Sequence, residues 1–275
     1  MASNSRVDQA DGLRRLIGEN STQHIAFLSA IAAPQKNAIL NNLAAALVNK
    51  GSDVHLLDAS LHSQGISCIA EKPIEHYLSD VDEQNVDIDS FLFEQSKGIY
   101  FSKLSRAPVK NLGDQASVLE QLSKSLSEIK PDINFCISDI YLDNDNPFVL
   151  PELAKADVIV LTSNTADSIT SAYLQIKALH AQLGRRPYHV LVVDSTLEQA
   201  KKIQHNMSQA AKVYLAVPLL SLGVIPRDDF LDRAGQMGRT VIDAFPTATS
   251  ANAFRSIATQ LVEKTHSLPS AALTN

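Results

Sequence analysis

The sequence predicts an α/β domain built on a doubly wound, mostly parallel sheet with helices on both faces. Three observations predict it. Apolar runs of strand length alternate with stretches of helical periodicity from residue 24 onward. The runs are nearly continuous rather than alternating, as strands covered on both faces require. The first unit, strand–loop–helix–strand, needs its helix as a right-handed crossover between parallel strands.

His24–Ala30 is the first such run, Asn37–Asn49 is a strong helix closed by Gly51, and Val54–Asp58 is the next strand. Further strands are expected at Gly98–Leu104, Ile133–Ser138, Asp157–Thr162, Tyr188–Val193 and Val213–Leu222. Helices fit at Leu112–Ile129, Thr165–Leu183, Leu197–Ala211 and Ala251–Lys264. Glu71–Ser96 is acidic and reads as an excursion with one or two short helices. Ahead of this body, Ser5 and Asp8 have capping-box spacing, and Val7, Ala10, Leu13, Leu16 and Ile17 form a narrow apolar stripe. One short helix cannot bury such a stripe alone, so it docks on the body or on another protein. The expected organisation is an arm over 1–22, an α/β domain over 23–265 and a loose tail over 266–275.

Composition narrows the function classes. The chain has 275 residues, 45% of them hydrophobic and 20% charged, which is globular composition. Its length alone would suit nearly two domains, but the single alternating pattern favours one. Net charge is −6, and no block of Lys or Arg stands out, so constitutive nucleic-acid binding is not expected. Cys68 and Cys136 both lie among apolar residues and read as small buried hydrophobes. The eight histidines are dispersed, with no metal-ligand spacing, so no metal site is expected. Asp143-Asn144-Asp145-Asn146 lacks the glycine of a calcium loop and reads as a turn before Pro147. The chain opens without a secretory signal, no apolar run reaches the ~18 residues of a membrane span, and the expected location is the cytoplasm.

The most informative stretch is the loop after the first strand, Ser29-Ala30-Ile31-Ala32-Ala33-Pro34-Gln35-Lys36-Asn37. It stands where a phosphate-binding loop would stand, yet it has no glycine, and Pro34 removes a donor. Lys36 at the mouth of the helix is either an anion ligand or a solvated surface residue.

This loop, its helix and Leu56-Leu57-Asp58-Ala59-Ser60 resemble the deviant phosphate loop and second strand of MinD/ParA-type P-loop ATPases. That family writes the loop x-G-K-G-G-x-G-K-[ST] and the strand end L-L-D-x-D. The resemblance sets Lys36 on the phosphate-binding Lys, and Asp58 and Asp139 on the two Asp positions. It sets Asn37 where a hydroxyl residue holds Mg²⁺, Ser60 where a carboxylate orients water, and Ile31 where a signature Lys crosses the dimer. Asp194 and Pro226 fall near the expected base contacts. The resemblance thus implies a degenerate nucleotide site, with ATP or ADP and Mg²⁺ disfavoured as ligands, because each departure removes a separate part of phosphoryl transfer.

Asp8-Gln9-Ala10-Asp11-Gly12-Leu13-Arg14 is similar to the D-Q-A-x-x-L-R element of the FlhG (FleN, YlxH) subfamily, and Leu222–Asp229 is similar to its C-terminal half. In that subfamily the N-terminal helix activates the GTPase FlhF. The implied function is regulation of bacterial flagellum number or placement by protein contact, with Asp8, Gln9, Ala10, Leu13 and Arg14 touching an FlhF-type GTPase. A contact to a flagellar transcriptional activator is implied by some members. Two other readings remain: a working ATP-switched ATPase, and a ParA-like cargo-positioning protein on DNA. Val262–Asn275 has no continuous apolar face, so membrane targeting is not expected.

Overall fold

A computed structural model describes residues 22–60, 64–80, 88–105, 132–142 and 155–266. The N-terminal arm, the Leu112–Ile129 helix, the Asp143–Asn146 turn and residues 267–275 lie outside the described residues.

Eight strands form one sheet: β1 (Gln23–Ser29), β2 (Val54–Ala59), β3 (Phe93–Ser96), β4 (Ile99–Lys103), β5 (Phe135–Ile140), β6 (Asp157–Thr162), β7 (Tyr188–Val193) and β8 (Leu219–Ile225). Their order is β3-β4-β2-β5-β1-β6-β7-β8. Every pairing is parallel except β3 with β4. β2, β5 and most of β6 are buried along their whole length, which is why these segments read as continuous apolar runs. One face carries a core around Leu28, Val160, Ile176 and Val190; the other is packed with Phe27, Leu43, Phe101 and Phe254.

Helix α1 (Ala33–Val48) covers the second face and packs along α6 (Thr249–His266). It starts four residues before the expected Asn37. Pro34 sits in its first turn, where a missing N–H and a fixed φ are tolerated. Asn42 on α1 accepts the Val241 N–H at 2.7 Å, pinning the short α5 (Val241–Ala244) beneath it. α2 (Ala166–Leu183) is capped by Thr165, and α3 (Leu197–Tyr214) by a reciprocal Thr196–Gln199 capping box. Between β8 and α5 lies α4 (Asp229–Gln236), N-capped by Asp228.

Three expectations need correction. The strand expected over Val213–Leu222 starts at Leu219, and α3 runs on through Tyr214. Val213 and Tyr214 are 69% and 77% exposed in the last helical turn, Ala216 takes a left-handed φ of 54°, and Pro218 separates them from the strand. An apolar run was therefore split by a turn. Within Glu71–Ser96 the short helices are 3-10 turns, and Phe93–Ser96 adds an antiparallel edge strand that sequence reading missed. Cys136 is buried as expected, but Cys68 is exposed because it lies on a 3-10 turn outside the sheet.

Candidate functional site

The carboxyl ends of β1, β2 and β5 converge on the amino end of α1. β5 inserts between β1 and β2, so the β1–α1–β2 crossover brings Asp58 and Asp139 side by side in register. Both carboxylates are buried, at 0% and 1% exposure, and so is Lys36 in the first turn of α1.

Lys36 is not the solvated residue its position allowed. Its ammonium donates to Asp139 Oδ2 at 2.5 Å, and the Ile66 N–H reaches the same oxygen at 2.8 Å. Asp139 Oδ1 is buried with no hydrogen-bond partner among the described residues. Burial pushes the Asp139 carboxyl above the ordinary range; Lys36 pulls it down, and Asp58 beside it adds to the rise.

Asp58 is saturated by hydroxyl and amide donors. Its Oδ1 accepts the Ser60 N–H at 3.1 Å and the Ser60 hydroxyl at 2.6 Å. Its Oδ2 accepts the Ser67 N–H at 3.3 Å and the Ser67 hydroxyl. The chain reaches this position through a turn over Gln64–Ile69, whose Ile66–Ile69 part is a 3-10 turn. Gly65 lets the turn approach: a Cβ there would overlap the Asp58 and Ser60 oxygens. Asn37 holds the turn from the other side, its amide donating to the carbonyls of Gln64 and Gly65 at 3.3 and 3.2 Å and to Cys68 Sγ at 3.1 Å.

A cavity of about 480 Å³ opens beside this cluster. Lys36, Asp139, Ser60 and Gln175 give it polar groups, while Leu28, Ile31, Ile140, Tyr141 and Leu142 give it apolar walls. Asp194 does not line it. It stands at the end of β7 with a left-handed φ of 52°, and the Gln35 amide donates to its carboxylate at 2.5 Å, tying the start of α1 to the β7–α3 connection. Pro226 follows β8 and is likewise absent from the lining. Of the expected nucleotide residues, the structure brings together Lys36, Asn37, Asp58 and Asp139, ties Asp194 in through Gln35, and leaves Pro226 apart. The expected contact residues Asp8, Gln9, Ala10, Leu13 and Arg14 lie outside the described residues. Sequence reading missed Gly65, Ser67 and Gln175, since a lone Gln on a helix and a Ser in a loop carry no spacing signal.

Toward a Mg²⁺–nucleotide, Lys36 is neutralised by Asp139 and Asp58 is held by the Ser60 and Ser67 donors, whereas Asn37 is engaged only through its Nδ2 and its Oδ1, the atom that could ligate a metal, is buried without a partner among the described residues. Among the described residues, no group of three or more His, Cys, Asp or Glu side chains could hold a metal ion. No described helix is long and apolar enough to cross a membrane.

No family model matches the chain. It is 25% identical over 232 residues to the antiactivator FleN of Pseudomonas aeruginosa, covering 81% of this chain and 80% of that protein. It is 24% identical over 242 residues to an uncharacterized ATP-binding protein of Methanocaldococcus jannaschii, covering 86% of this chain and 87% of that one. Among solved structures, the fold matches the MinC:MinD cell division complex of Aquifex aeolicus with a TM-score of 0.65 at 20% identity, covering 92% of this chain and 99% of that one. It matches a ParA family ATPase of Chlorobium tepidum with a TM-score of 0.63 at 16% identity, covering 87% and 99%. The chain thus has the fold of the MinD and ParA family structures, and along most of its length its sequence is similar to that of the antiactivator FleN.

Proposed function

We propose that this protein regulates the number or placement of bacterial flagella by protein contact, without productive ATP hydrolysis at its own P-loop position. The observation that carries the reading is the likeness to an antiactivator along 81% of the chain. Two features support its finer parts. The Asp8–Arg14 element has the subfamily's D-Q-A-x-x-L-R pattern, and its polar Asp8, Gln9 and Arg14 are not needed to pack an amphipathic arm. At the P-loop position, the Lys36–Asp139 pair and the Ser60 and Ser67 bonds to Asp58 occupy groups that a nucleotide and metal would need.

In this reading the helix around Gln9 enters the active site of an FlhF-type GTPase and orders the groups that position water. A second partner is a transcriptional activator of flagellar genes, in keeping with the name of the Pseudomonas relative. Deleting residues 1–20 should lower the stimulated GTP turnover of FlhF to its basal rate, and an unchanged rate sinks the arm's role. The ATP-binding name of the archaeal relative favours a second reading, a working ATPase. Calorimetry with ATP and Mg²⁺ separates the two: micromolar binding supports the ATPase, and no heat supports the contact-only regulator.

A further inference from the structure

The end of the sheet opposite the P-loop position is where the N-terminal arm joins the body. β1 lies between β5 and β6, and the Gln23 amide donates to Asp157 Oδ2 at 3.1 Å, an oxygen that also accepts the Lys264 ammonium at 2.7 Å. Residue 22 therefore stands at the amino end of the sheet, next to the last turn of α6. From there β6 and β7 lead to β8, an edge strand with no further strand against it among the described residues. Large apolar side chains are exposed around its amino end: Leu220 on β8, and Val213 and Tyr214 on the last turn of α3 shortly before it. Leu220, Leu222, Ile159 and Leu261 also border a cavity of about 170 Å³ formed by β6, β7, β8 and the end of α6. By contrast, the exposed Tyr141, Leu197 and Phe230 follow the carboxyl ends of β5, β7 and β8, at the far end of the sheet.

The arm suits this surface in reach, length and character. Ile17 precedes Gln23 by six residues, about 20 Å of extended chain, and the three strand spacings from β1 to β8 amount to about 14 Å. A helix over Val7–Ile17 is about 16 Å long, within the roughly 23 Å of the seven-residue β8. Its stripe of Val7, Ala10, Leu13, Leu16 and Ile17 supplies apolar side chains to cover Leu220. The tail after α6 starts from the same end of the sheet, but its large apolar residues are only Leu268 and Leu273, with Pro269 between them. We propose that the arm docks its apolar stripe on its own body, along the amino half of β8 and over the cavity bordered by Leu220. A linker as short as Gly18–Ser21 gives the arm an effective concentration of about a millimolar, so a contact too weak to join two molecules is populated within one. Ala10 and Leu13 belong both to the stripe and to the set proposed to touch the GTPase, so a docked arm is withheld from that partner. This consequence rests on the proposed function; the docking itself does not.

The test uses the full chain with Cys68→Ser, which leaves only the buried Cys136, and a nitroxide attached at Asp11→Cys, outside the stripe. Amide NMR should show paramagnetic broadening of Leu220–Leu222 and Leu261–Lys264, lost on adding either Leu220→Asp or Leu16→Asp. Leu220 is exposed, so its replacement leaves the core intact. Broadening confined to the surroundings of Gln23, or centred elsewhere on the body, overturns the proposal. Broadening that passes only between labelled and unlabelled molecules in a mixture assigns the β8 edge to a second copy, and broadening of the same residues from a label at Ser270→Cys in place of the arm label assigns it to the tail; each overturns the proposal. An arm docked for about two-thirds of the time triples the concentration needed to engage a partner, so Leu220→Asp should reach half-maximal stimulation of an FlhF-type GTPase at about one-third of the native concentration. Equal half-maximal concentrations overturn the withholding of the arm. Absence of stimulation by both proteins, with the broadening intact, overturns the arm's role at the GTPase and leaves the docking standing.

Discussion

Replacing Lys36 with Met removes one half of a buried ion pair and leaves the other half in place. The Lys36 side chain is 8% exposed and that of Asp139 1%, so solvent cannot take over the screening. Stripping one partner from such a pair costs about 3–5 kcal/mol, because the remaining charge is buried and uncompensated. Asp139 limits that loss by taking up a proton. Its carboxyl is already pushed up by burial, and losing Lys36 removes the main force pulling it down. A carboxyl whose folded pKa lies above its unfolded value favours folding at pH below the unfolded value, and that contribution is lost as pH rises through the folded value. The destabilisation in Lys36→Met is therefore largest at neutral pH and shrinks toward pH 4. Urea unfolding should show a loss of about 3 kcal/mol at pH 7.5 and less than half of it at pH 4.5. Adding Asp139→Asn to Lys36→Met removes the stranded charge and should recover most of the loss, since a neutral buried pair carries little penalty. A loss below about 1 kcal/mol, or one equal at both pH values, would refute the picture of a buried pair and return Lys36 to a solvated role.

Three further outcomes follow from the same structure. Burial pushes His55 down to about 3, so protons bind the unfolded chain first as pH falls below 6.5, and stability drops by about 2 kcal/mol between pH 7.5 and 5; the comparison of urea midpoints with His55→Gln should show this drop in the native protein alone. Gly65→Ala forces a methyl into the Asp58 and Ser60 oxygens and should cost about 1–3 kcal/mol, read by thermal unfolding; a neutral effect means that the turn does not close on Asp58. Asp228 caps α4 through the Phe230 N–H at 3.0 Å and accepts both the N–H and hydroxyl of Ser250 at 2.8 Å; although burial opposes the charge, these bonds hold its carboxyl below the ordinary range. Asp228→Ala should therefore cost about 1 kcal/mol of stability at pH 7, with less difference from the native protein near pH 2.

What could be read from the sequence divides along a physical line. The sheet interior was legible because burial on both faces dictates composition: β2, β5, β6 and β7 coincide with the expected runs to within a few residues. Edges and turns were not. Phe93–Ser96 alternates half-buried and exposed positions over four residues, too short for a period to emerge, and the end of α3 hid an apolar turn that mimicked a strand. The site splits the same way. Lys36, Asn37, Asp58 and Asp139 were found because their places on a strand–loop–helix unit are fixed by chain order. Gly65, Ser67 and Gln175 reach the site across 28, 9 and 146 positions of sequence separation, through contacts with Asn37, Asp58 and Ser29. No local pattern encodes such meetings. They nevertheless decide the chemistry: chain order alone sets Lys36, Asn37, Asp58 and Asp139 at one end of the sheet, whereas the long-range bonds give Asp58 to the Ser67 donors, Asn37 Nδ2 to the Gln64–Ile69 turn and one Asp139 oxygen to Lys36 and Ile66.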